Sequence, residues 1–519
     1  MKQLDVHRRF QWRGADLGRL LLLVGSLTVC LLYLPNHLYN PASRRIFITL
    51  GILGLWRYGW WFVHFVRSQI YARYVFPPLR QKAQALWDAG WRPKRILYMI
   101  TTFREVQDTT ERLIASLIHE MRGTGIPARV FFGTYDDLDE QIITTYLKRH
   151  GEGVDLEVVF VRQNLPGKRI AIGLALRAMS RYGLNDDDLV VFMDGDTYLE
   201  PGALEKCLPL FAVCPELDAL TTDEQSVIKG PRWMQWWIDM RLAQRQLAMQ
   251  SIALSGKLLT LTGRCSFFRA RYVVEEPFIR LVEADYLDNW LWGRFRFLSG
   301  DDKSTAYALL SKPGGTVLRY VPDAVATTIE YVEGGGFARV RQNLLRWSGN
   351  LLRNGRRCIA LGPGQLGWFT WWCFIDQRLA MWTTLVGPVA AVLLTILQGP
   401  QVLLAAVVWI LVTRLVLSVF LCYYAGRIYI SFPFLLYFNQ VTNAAVKCYL
   451  LFRLAKQRWR NRGDQKVAES MGWLPAFQNF MGSYLTHLSL VAFVFGLFAL
   501  FVLNGVPRLP VVLHVFGLR

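Results

Sequence analysis

Apolar residues in this chain gather into long runs near both ends, with an ordinary mixed region between them. The stretch Leu17 to Pro35, "LGRLLLLVGSLTVCLLYLP", is long enough to cross a hydrocarbon core of about 30 Å. A second run covers Ile46 to Val66. Later candidates are Met381 to Leu397, Val402 to Tyr423 and Tyr484 to Asn504. Two more apolar stretches read as interfacial helices. Ile430 to Lys456 carries Asn439, Gln440, Asn443 and Lys447, and a sixth span is its alternative reading. Gln365 to Arg378 carries a tryptophan belt. In between, short apolar runs alternate with helical spacing. "RILYMITTF" (Arg95 to Phe103), "ARVFFGTYDD" (Ala128 to Asp137), "VDLEVVFVRQ" and "DLVVFMDGD" read as strands, while "TTERLIASLIHEMRGTG" and "GKRIAIGLALRAMSRYG" read as helices. This alternation predicts an α/β domain, a mainly parallel sheet with helices on both faces, combined with an α-helical transmembrane region.

The pattern divides the chain into residues 1–91 with two membrane helices, a soluble domain over 92–357, and residues 358–519 with interfacial helices and about three spans. Composition sharpens this. Of 519 residues, 53% are hydrophobic and 14% aromatic, high for a soluble enzyme. The formal net charge of +20 suits nucleic acid, an anionic membrane surface or an anionic ligand. No zinc-finger spacing or RNA-binding signature is present, so no nucleic-acid partner is expected. Much of the positive charge flanks apolar runs: Lys2, Arg8, Arg9, Arg13 and Arg19 at the start, "RSQIYARYVFPPLRQK" after the second run, and "RWRNRGDQK" (Arg458 to Lys466). By the positive-inside rule the amino end and the soluble domain are cytoplasmic, and the carboxyl end lies across the membrane. The 8 cysteines form no CxxC pair, which fits a reducing compartment.

In a parallel sheet ligands bind at the carboxyl ends of the strands. Four strand ends here carry polar or acidic residues. "MDGD" brings Asp194 and Asp196 to one place, and two hard oxygen ligands suit Mg2+ or Mn2+ bridging protein and phosphate. An Asp-Gly turn is the plainer reading. Asp136 and Asp137 end an earlier strand and could hold a base or ribose. "PGKR" opens a helix whose amino end, with Lys168 and Arg169, favours phosphate. "FLSGDDKS" supplies Asp301 and Asp302. Asp302 is a candidate general base, its pKa open to being raised by the neighbouring Asp301. "RQNLLRWSGN" ends in Arg346, which can stabilise a departing diphosphate, and Trp347, which can stack on a sugar. The soluble stretch 92–357 contains neither GxGxxG nor GxxxxGK[ST].

The succession TTFRE, YDD, GKR, DGD, LTGR, SGDDKS, RW and then membrane helices resembles the processive family 2 glycosyltransferases, the group of the cellulose, chitin and hyaluronan synthases. Within it the chain is most similar to the branch that polymerises mannuronan for bacterial alginate. The likeness runs from the first span to the last. It implies a GT-A catalytic domain on the cytoplasmic side of the inner membrane, feeding a channel built by the membrane helices. Thr101, Glu105, Asp136, Lys168, Arg169 and Asp194 would bind the donor, GDP-mannuronic acid. Asp194 and Asp196 would hold the metal. Asp302, Asp301, Arg346 and Trp347 would form the catalytic group, with Asp302 as base. Arg264 and Trp347 would face the acceptor, and Arg57, Arg378 and Arg414 would line the path of the growing mannuronan chain. The family's QxxRW motif has Asn343 where its glutamine stands, so the shorter amide reaches less far. The resemblance also implies a PilZ-domain, cyclic di-GMP-binding co-polymerase and a periplasmic export complex as partners.

Other readings stay open on the residues alone. A related synthase could use UDP-glucose or UDP-N-acetylglucosamine, since the catalytic motifs are shared. A non-processive lipid glycosyltransferase would make a short glycolipid. A membrane scaffold with a degenerate soluble domain is disfavoured by the intact DxD, GDD and RW. Arginine inside a span is costly in lipid, so Arg57 and Arg414 face protein or a water-filled path, either as structural pairs or as functional groups.

Overall fold

The computed structural model describes residues 14–32, 44–164, 167–185, 188–460, 464–466 and 472–503. The basic residues Lys2, Arg8, Arg9 and Arg13 lie outside them, as do Pro166, the last residues of the first expected span and Asn504. Two compact units are present. One is built on His64–Ile375 together with the described part of Ala455–Ala468. The other comprises the described parts of Phe10–Val63, Asp376–Leu454 and Glu469–Arg519.

In the first unit the strands are β1 (Ile96–Thr101), β2 (Ala128–Thr134), β3 (Leu156–Arg162), β4 (Leu189–Asp194), β5 (Thr197–Leu199), β6 (Leu217–Lys229), β7 (Cys265–Arg269), β8 (Tyr286–Asn289), β9 (Gly293–Arg296) and β10 (Val317–Tyr331). Eight of them form one sheet in the order β3-β2-β1-β4-β7-β6-β10-β5. The strands β3, β2, β1 and β4 are mutually parallel, and β6 is parallel to β10. Between these two blocks β7 runs antiparallel to both neighbours, and β5 pairs antiparallel with β10. The mainly parallel, helix-covered sheet expected from the sequence is present. The inserted β7 was not foreseen, because "CSFFR" carries no directional signal.

The central strands are buried from end to end, so they read as continuous apolar runs. Helices Gln107–Thr124, Asp137–His150 and Lys168–Ser180 connect β1, β2, β3 and β4. The strands therefore advance in parallel and deliver their carboxyl ends to one edge. That edge carries Thr101, Thr134, Asp194 and the loops beyond them.

Among the described residues four helices are long and apolar enough to cross a membrane: Gly14–Leu32, Trp368–Leu397, Val402–Ala425 and Trp473–Leu503. They fit a membrane protein. One expectation changes. Gln365 to Arg378 is not a separate interfacial helix. After Gly367 the chain enters one continuous helix, Trp368–Gln398, so the tryptophan belt is the first part of a span. The run Ile46 to Val66 lies in helix Arg44–Ile70, which is absent from the four and carries Arg57, His64 and Arg67. In the second unit Arg57 donates to Asp376 at 2.5 Å, which gives that arginine a carboxylate partner. Arg414 lies 3.4 Å from the Tyr58 hydroxyl and faces the Tyr437 ring.

Candidate active site

The DxD segment closes β4. Asp194 is the last strand residue, Gly195 and Asp196 form a turn, and β5 begins at Thr197. The plainer reading of the motif, an Asp-Gly turn, is what the backbone adopts. A side chain at position 195 has no room. A Cβ there would stand 2.7 Å from the Thr101 carbonyl oxygen and 2.9 Å from Thr102 Cγ2. The Gly195 N–H donates to that same carbonyl at 3.0 Å. Glycine thus lets the turn press against the end of β1. The likeness assigns Thr101 to the donor, and its backbone here fixes the turn.

Lys168, the first residue of helix Lys168–Ser180, reaches this turn. Its ammonium lies 2.7 Å from Asp194 Oδ1 and 2.7 Å from Asp301 Oδ2. One cation thus ties the DxD turn to the GDD segment. Burial pushes the Asp194 carboxyl up, the nearby Asp196 and Asp301 carboxylates add to this, and together they outweigh Lys168 and carry it to about 7. Asp196 is raised as well, mainly by burial, against the opposing field of Arg264 and Lys168. Gly263 makes the approach possible: a Cβ there would lie 3.2 Å from Asp194 Oδ2 and 3.4 Å from Lys168 Nζ.

Asp301 and Asp302 open helix Asp301–Leu310 behind Gly300, whose φ of 92° is a left-handed conformation that glycine adopts without strain. A Cβ at Gly300 would also meet Asn350 at 2.9 Å. The Asp302 carboxylate accepts from the Thr260 hydroxyl at 2.9 Å and pairs with Lys303 at 2.9 Å. Here the sequence expectation is corrected. Burial alone would raise the Asp302 carboxyl, but Lys303, Thr260 and Lys168 outweigh it and hold it below its ordinary value. Asp301 is not among the main causes acting on Asp302, and its carboxylate pairs with Lys168.

Arg346 and Trp347 stand on helix Gly336–Ala360. Burial is the main cause lowering the Arg346 pKa, and Asp194 and Asp196 are among the opposing charges, which puts this guanidinium in the field of the DxD turn. Trp347 stacks on Trp237 with ring centroids 6.0 Å apart and 16° between planes. Asn343 is buried and donates to Glu330 Oε1 at 3.3 Å, beside Arg339 at 2.7 Å. The shorter amide finds its acceptor on β10.

Four remaining candidates are Asp136, Glu105, Arg169 and Arg264. Asp136 pairs with Arg104 at 3.1 Å, and Arg104 has a strained φ of 50° and takes Asp139 on its backbone N–H at 2.9 Å. Glu105 follows Arg104 in the same loop. Arg169 is a correction. It does not present its charge to a phosphate. It is buried, and its guanidinium donates to the carbonyls of Val282 and Ser299 and to the Ser304 hydroxyl. It props up helix Asp301–Leu310 from beneath. Arg264 pairs with Glu224 at 3.0 Å, and Glu224 also faces Arg245 at 3.1 Å. The sequence reading missed Thr260, Lys303, Glu224, Arg245 and Arg241. Only Lys303, next to the acid pair, had a local signal.

The two DxD carboxylates form a hard-oxygen donor set on a turn. Among the described residues no group of three or more His, Cys, Asp or Glu completes a protein-only cage. This fits a cation such as Mg2+ that takes its remaining ligands from water and substrate phosphate. Asp194, Lys168 and Asp301, which the family 2 resemblance names, thus stand together at one edge of the sheet.

Comparison with known proteins agrees. Residues 93–350 match the family described as glycosyltransferase-like family 2. The chain is 36% identical over 445 residues to the glycosyltransferase alg8 of Pseudomonas syringae pv. tomato, covering 85% of this chain and 90% of that one. It is 35% identical over 479 residues to the glycosyltransferase alg8 of Azotobacter vinelandii, covering 91% and 96%. The chain belongs to the alg8 glycosyltransferases, within glycosyltransferase family 2. Among solved structures, a mannosyltransferase from Pyrobaculum calidifontis in complex with GDP-Man and Mn2+ matches with a TM-score of 0.46, 16% identity, and 74% and 95% coverage.

Proposed function

We propose that this glycosyltransferase is a processive, inverting polymerase that joins mannuronic acid from GDP-mannuronic acid in β-1,4 linkage and passes the chain across the inner membrane, as the alginate precursor. The observation that carries the reading is the near full-length likeness to the alg8 glycosyltransferases together with the assembled Asp194, Lys168, Asp301 cluster.

The chain's own residues then take these roles. Asp136, once released from Arg104, accepts from the guanine base. Asp194 and Asp196 would hold a divalent cation, which would supply charge neutralisation to the diphosphate. Asp302, ionised because Lys303 and Thr260 favour its charged form, takes the proton from the 4-hydroxyl of the chain's terminal sugar. That oxygen forms the new bond to the anomeric carbon as the bond to the diphosphate oxygen breaks. GDP leaves with the electron pair, and Lys168 and Arg346 stabilise its charge. One displacement inverts an α-linked donor to a β-linked product, so no covalent enzyme intermediate is required. Trp347 offers a ring face to the acceptor sugar.

With the amino end cytoplasmic, helix Arg44–Ile70 serves as a fifth crossing and returns the chain for the catalytic domain. The last span then ends in the periplasm. A PilZ-domain partner that binds cyclic di-GMP and a periplasmic export complex complete the system. The test is incorporation of radiolabelled GDP-mannuronic acid by membranes carrying the chain with that partner, against UDP-glucose and UDP-N-acetylglucosamine. High-molecular-weight product sensitive to a mannuronan lyase is expected from the first donor alone. Polymer from either UDP-sugar instead, or only short glycolipid, overturns the reading.

A further inference from the structure

Among the described residues Arg104 is the one non-glycine residue at positive φ, at 50°. A side chain is strained in this left-handed region, which glycine and asparagine fill most readily. The conformation is enforced through the backbone. The Arg104 N–H donates at 2.9 Å to Oδ2 of Asp139, a fully buried carboxylate in the first turn of helix Asp137–His150. Held this way, the loop after β1 meets the loop after β2, and Arg104 Nε donates to Asp136 Oδ2 at 3.1 Å.

The ion pair alone does not explain the strain. The Arg104 side chain is 57% exposed, and a pair so open to water contributes little. Beyond Nε, its guanidinium has no hydrogen-bond partner among the described residues. On the acid, Asp136 Oδ1 is buried and also lacks one. A buried acceptor without a donor is costly, so this oxygen is set to receive an N–H. The neighbouring acids do not compete for Arg104, because Asp137 and Glu140 pair with Arg162 and Asp139 takes the backbone. Phe103 and Tyr135 pack with ring centroids 5.4 Å apart, and the guanidinium carbon lies 5.6 Å and 5.9 Å from them. A carboxylate acceptor, a planar fork of donors and two aromatic rings thus stand together at the carboxyl ends of β1 and β2.

We infer that Arg104 selects the base of the donor: it leaves Asp136 when the nucleotide binds, places its terminal nitrogens on O6 and N7 of guanine, and frees both Asp136 oxygens for the guanine N1–H and 2-amino group. The inference rests on the proposed function for a guanosine nucleotide as donor and names the residue that reads it. A forked guanidinium matches the O6 and N7 acceptors in a two-bond geometry. A carboxylate matches the two donors beside them. Uracil offers one N–H between two carbonyls, so the carboxylate would face repulsion on both sides. Adenine sets an amino group where O6 stands, against a guanidinium that can only donate. The strain at position 104 then has a use, since it holds the fork beside the acid.

The experiment is calorimetric binding of GDP, 7-deaza-GDP, IDP and UDP to the purified full-length protein in detergent with Mg2+ present. In 7-deaza-GDP a C–H replaces N7, and IDP lacks the 2-amino group. The unsubstituted protein is expected to bind GDP about tenfold more tightly than 7-deaza-GDP, and to prefer GDP to UDP by at least as much. Arg104→Gly suits the left-handed backbone and keeps the loop. In it the difference between GDP and 7-deaza-GDP should fall below twofold, while the weaker binding of IDP, which reports on Asp136, persists. Arg104→Asn also tolerates this backbone and should repeat the result. An undiminished preference for GDP over 7-deaza-GDP in both variants, no such preference in the unsubstituted protein, or equal weakening of all four nucleotides overturns the inference. Two failures are told apart by the unsubstituted protein. If it binds UDP more tightly than GDP, the donor reading falls and this inference with it. If it prefers GDP and the variants keep every preference, the inference alone falls.

Discussion

Asp302 shows how little of a residue's chemistry is set by its type alone. Its carboxyl is held below the ordinary value by Lys303 at 2.9 Å and the Thr260 hydroxyl at 2.9 Å. The proposed base is therefore held in its charged form, the form that can accept a proton. Removing it by Asp302→Asn is expected to lower polymer formation by about 10²–10⁴-fold while GDP binding persists, measured by radiolabel incorporation and calorimetry. Lys303→Met tests the tuning itself. Loss of the ammonium removes one of the groups that lower the proposed base's pKa, so that pKa rises. The protonated form cannot accept a proton, so the acid limb of the kcat/KM profile moves to higher pH. An unmoved acid limb would show that Lys303 does not set the base. The acid pair was legible in "SGDDKS", and so was its neighbour lysine. The Thr260 contact was not, because it joins residues 42 positions apart and only the fold brings them together.

At the scale of elements, the site depends on strand ends and helix starts meeting at one edge. Residues at the ends of β1 and β4, and at the first turns of helices Lys168–Ser180 and Asp301–Leu310, were readable because parallel strands deliver their carboxyl ends together. Arg169 was misjudged for a physical reason. Lys168 and Arg169 are adjacent at a helix start, and consecutive helix positions point about 100° apart. One therefore faces the turn while its neighbour is driven beneath helix Asp301–Leu310. The tryptophans of "GWFTWWCF" misled in a similar way, since an interfacial helix and the first turns of a span carry the same aromatic belt. Gly195 gives a prediction at this scale. Gly195→Ala sets a methyl 2.7 Å from the Thr101 carbonyl, and the neighbour is backbone that cannot swing aside. The turn must shift, at a cost of about 1–3 kcal/mol. The expected result is at least a tenfold loss of metal-dependent GDP binding with the circular dichroism spectrum unchanged. Full binding in that variant would mean that the turn tolerates the shift.

For the molecule as a whole, the arginines within the apolar helices raise the question of what a charge is for in lipid. Arg57 and Arg414 differ. Arg57 has a carboxylate, Asp376, at 2.5 Å within the same unit, whereas among the described residues Arg414 has the Tyr58 hydroxyl, the Thr413 hydroxyl and an aromatic face. A paired charge is compensated and a guanidinium bonded only to hydroxyls is not, so the two should respond differently to substitution. Arg57→Leu leaves Asp376 as an uncompensated carboxylate and should destabilise by roughly 3 kcal/mol, seen as a lower unfolding temperature of the detergent-purified protein. Arg57→Leu with Asp376→Leu should recover most of that loss, because breaking a pair costs more than replacing it with apolar groups of similar volume. Polymer yield should follow stability in both variants if the pair is structural. Arg414→Leu should instead leave the unfolding temperature and GDP binding near their starting values and reduce the yield of extruded polymer. Such a split between the two arginines would place Arg414, and not Arg57, on the path of an anionic chain. If the Arg57→Leu, Asp376→Leu protein recovers its stability but not its yield, Arg57 belongs on that path as well, and its salt bridge with Asp376 is the resting state of a group that the polymer displaces.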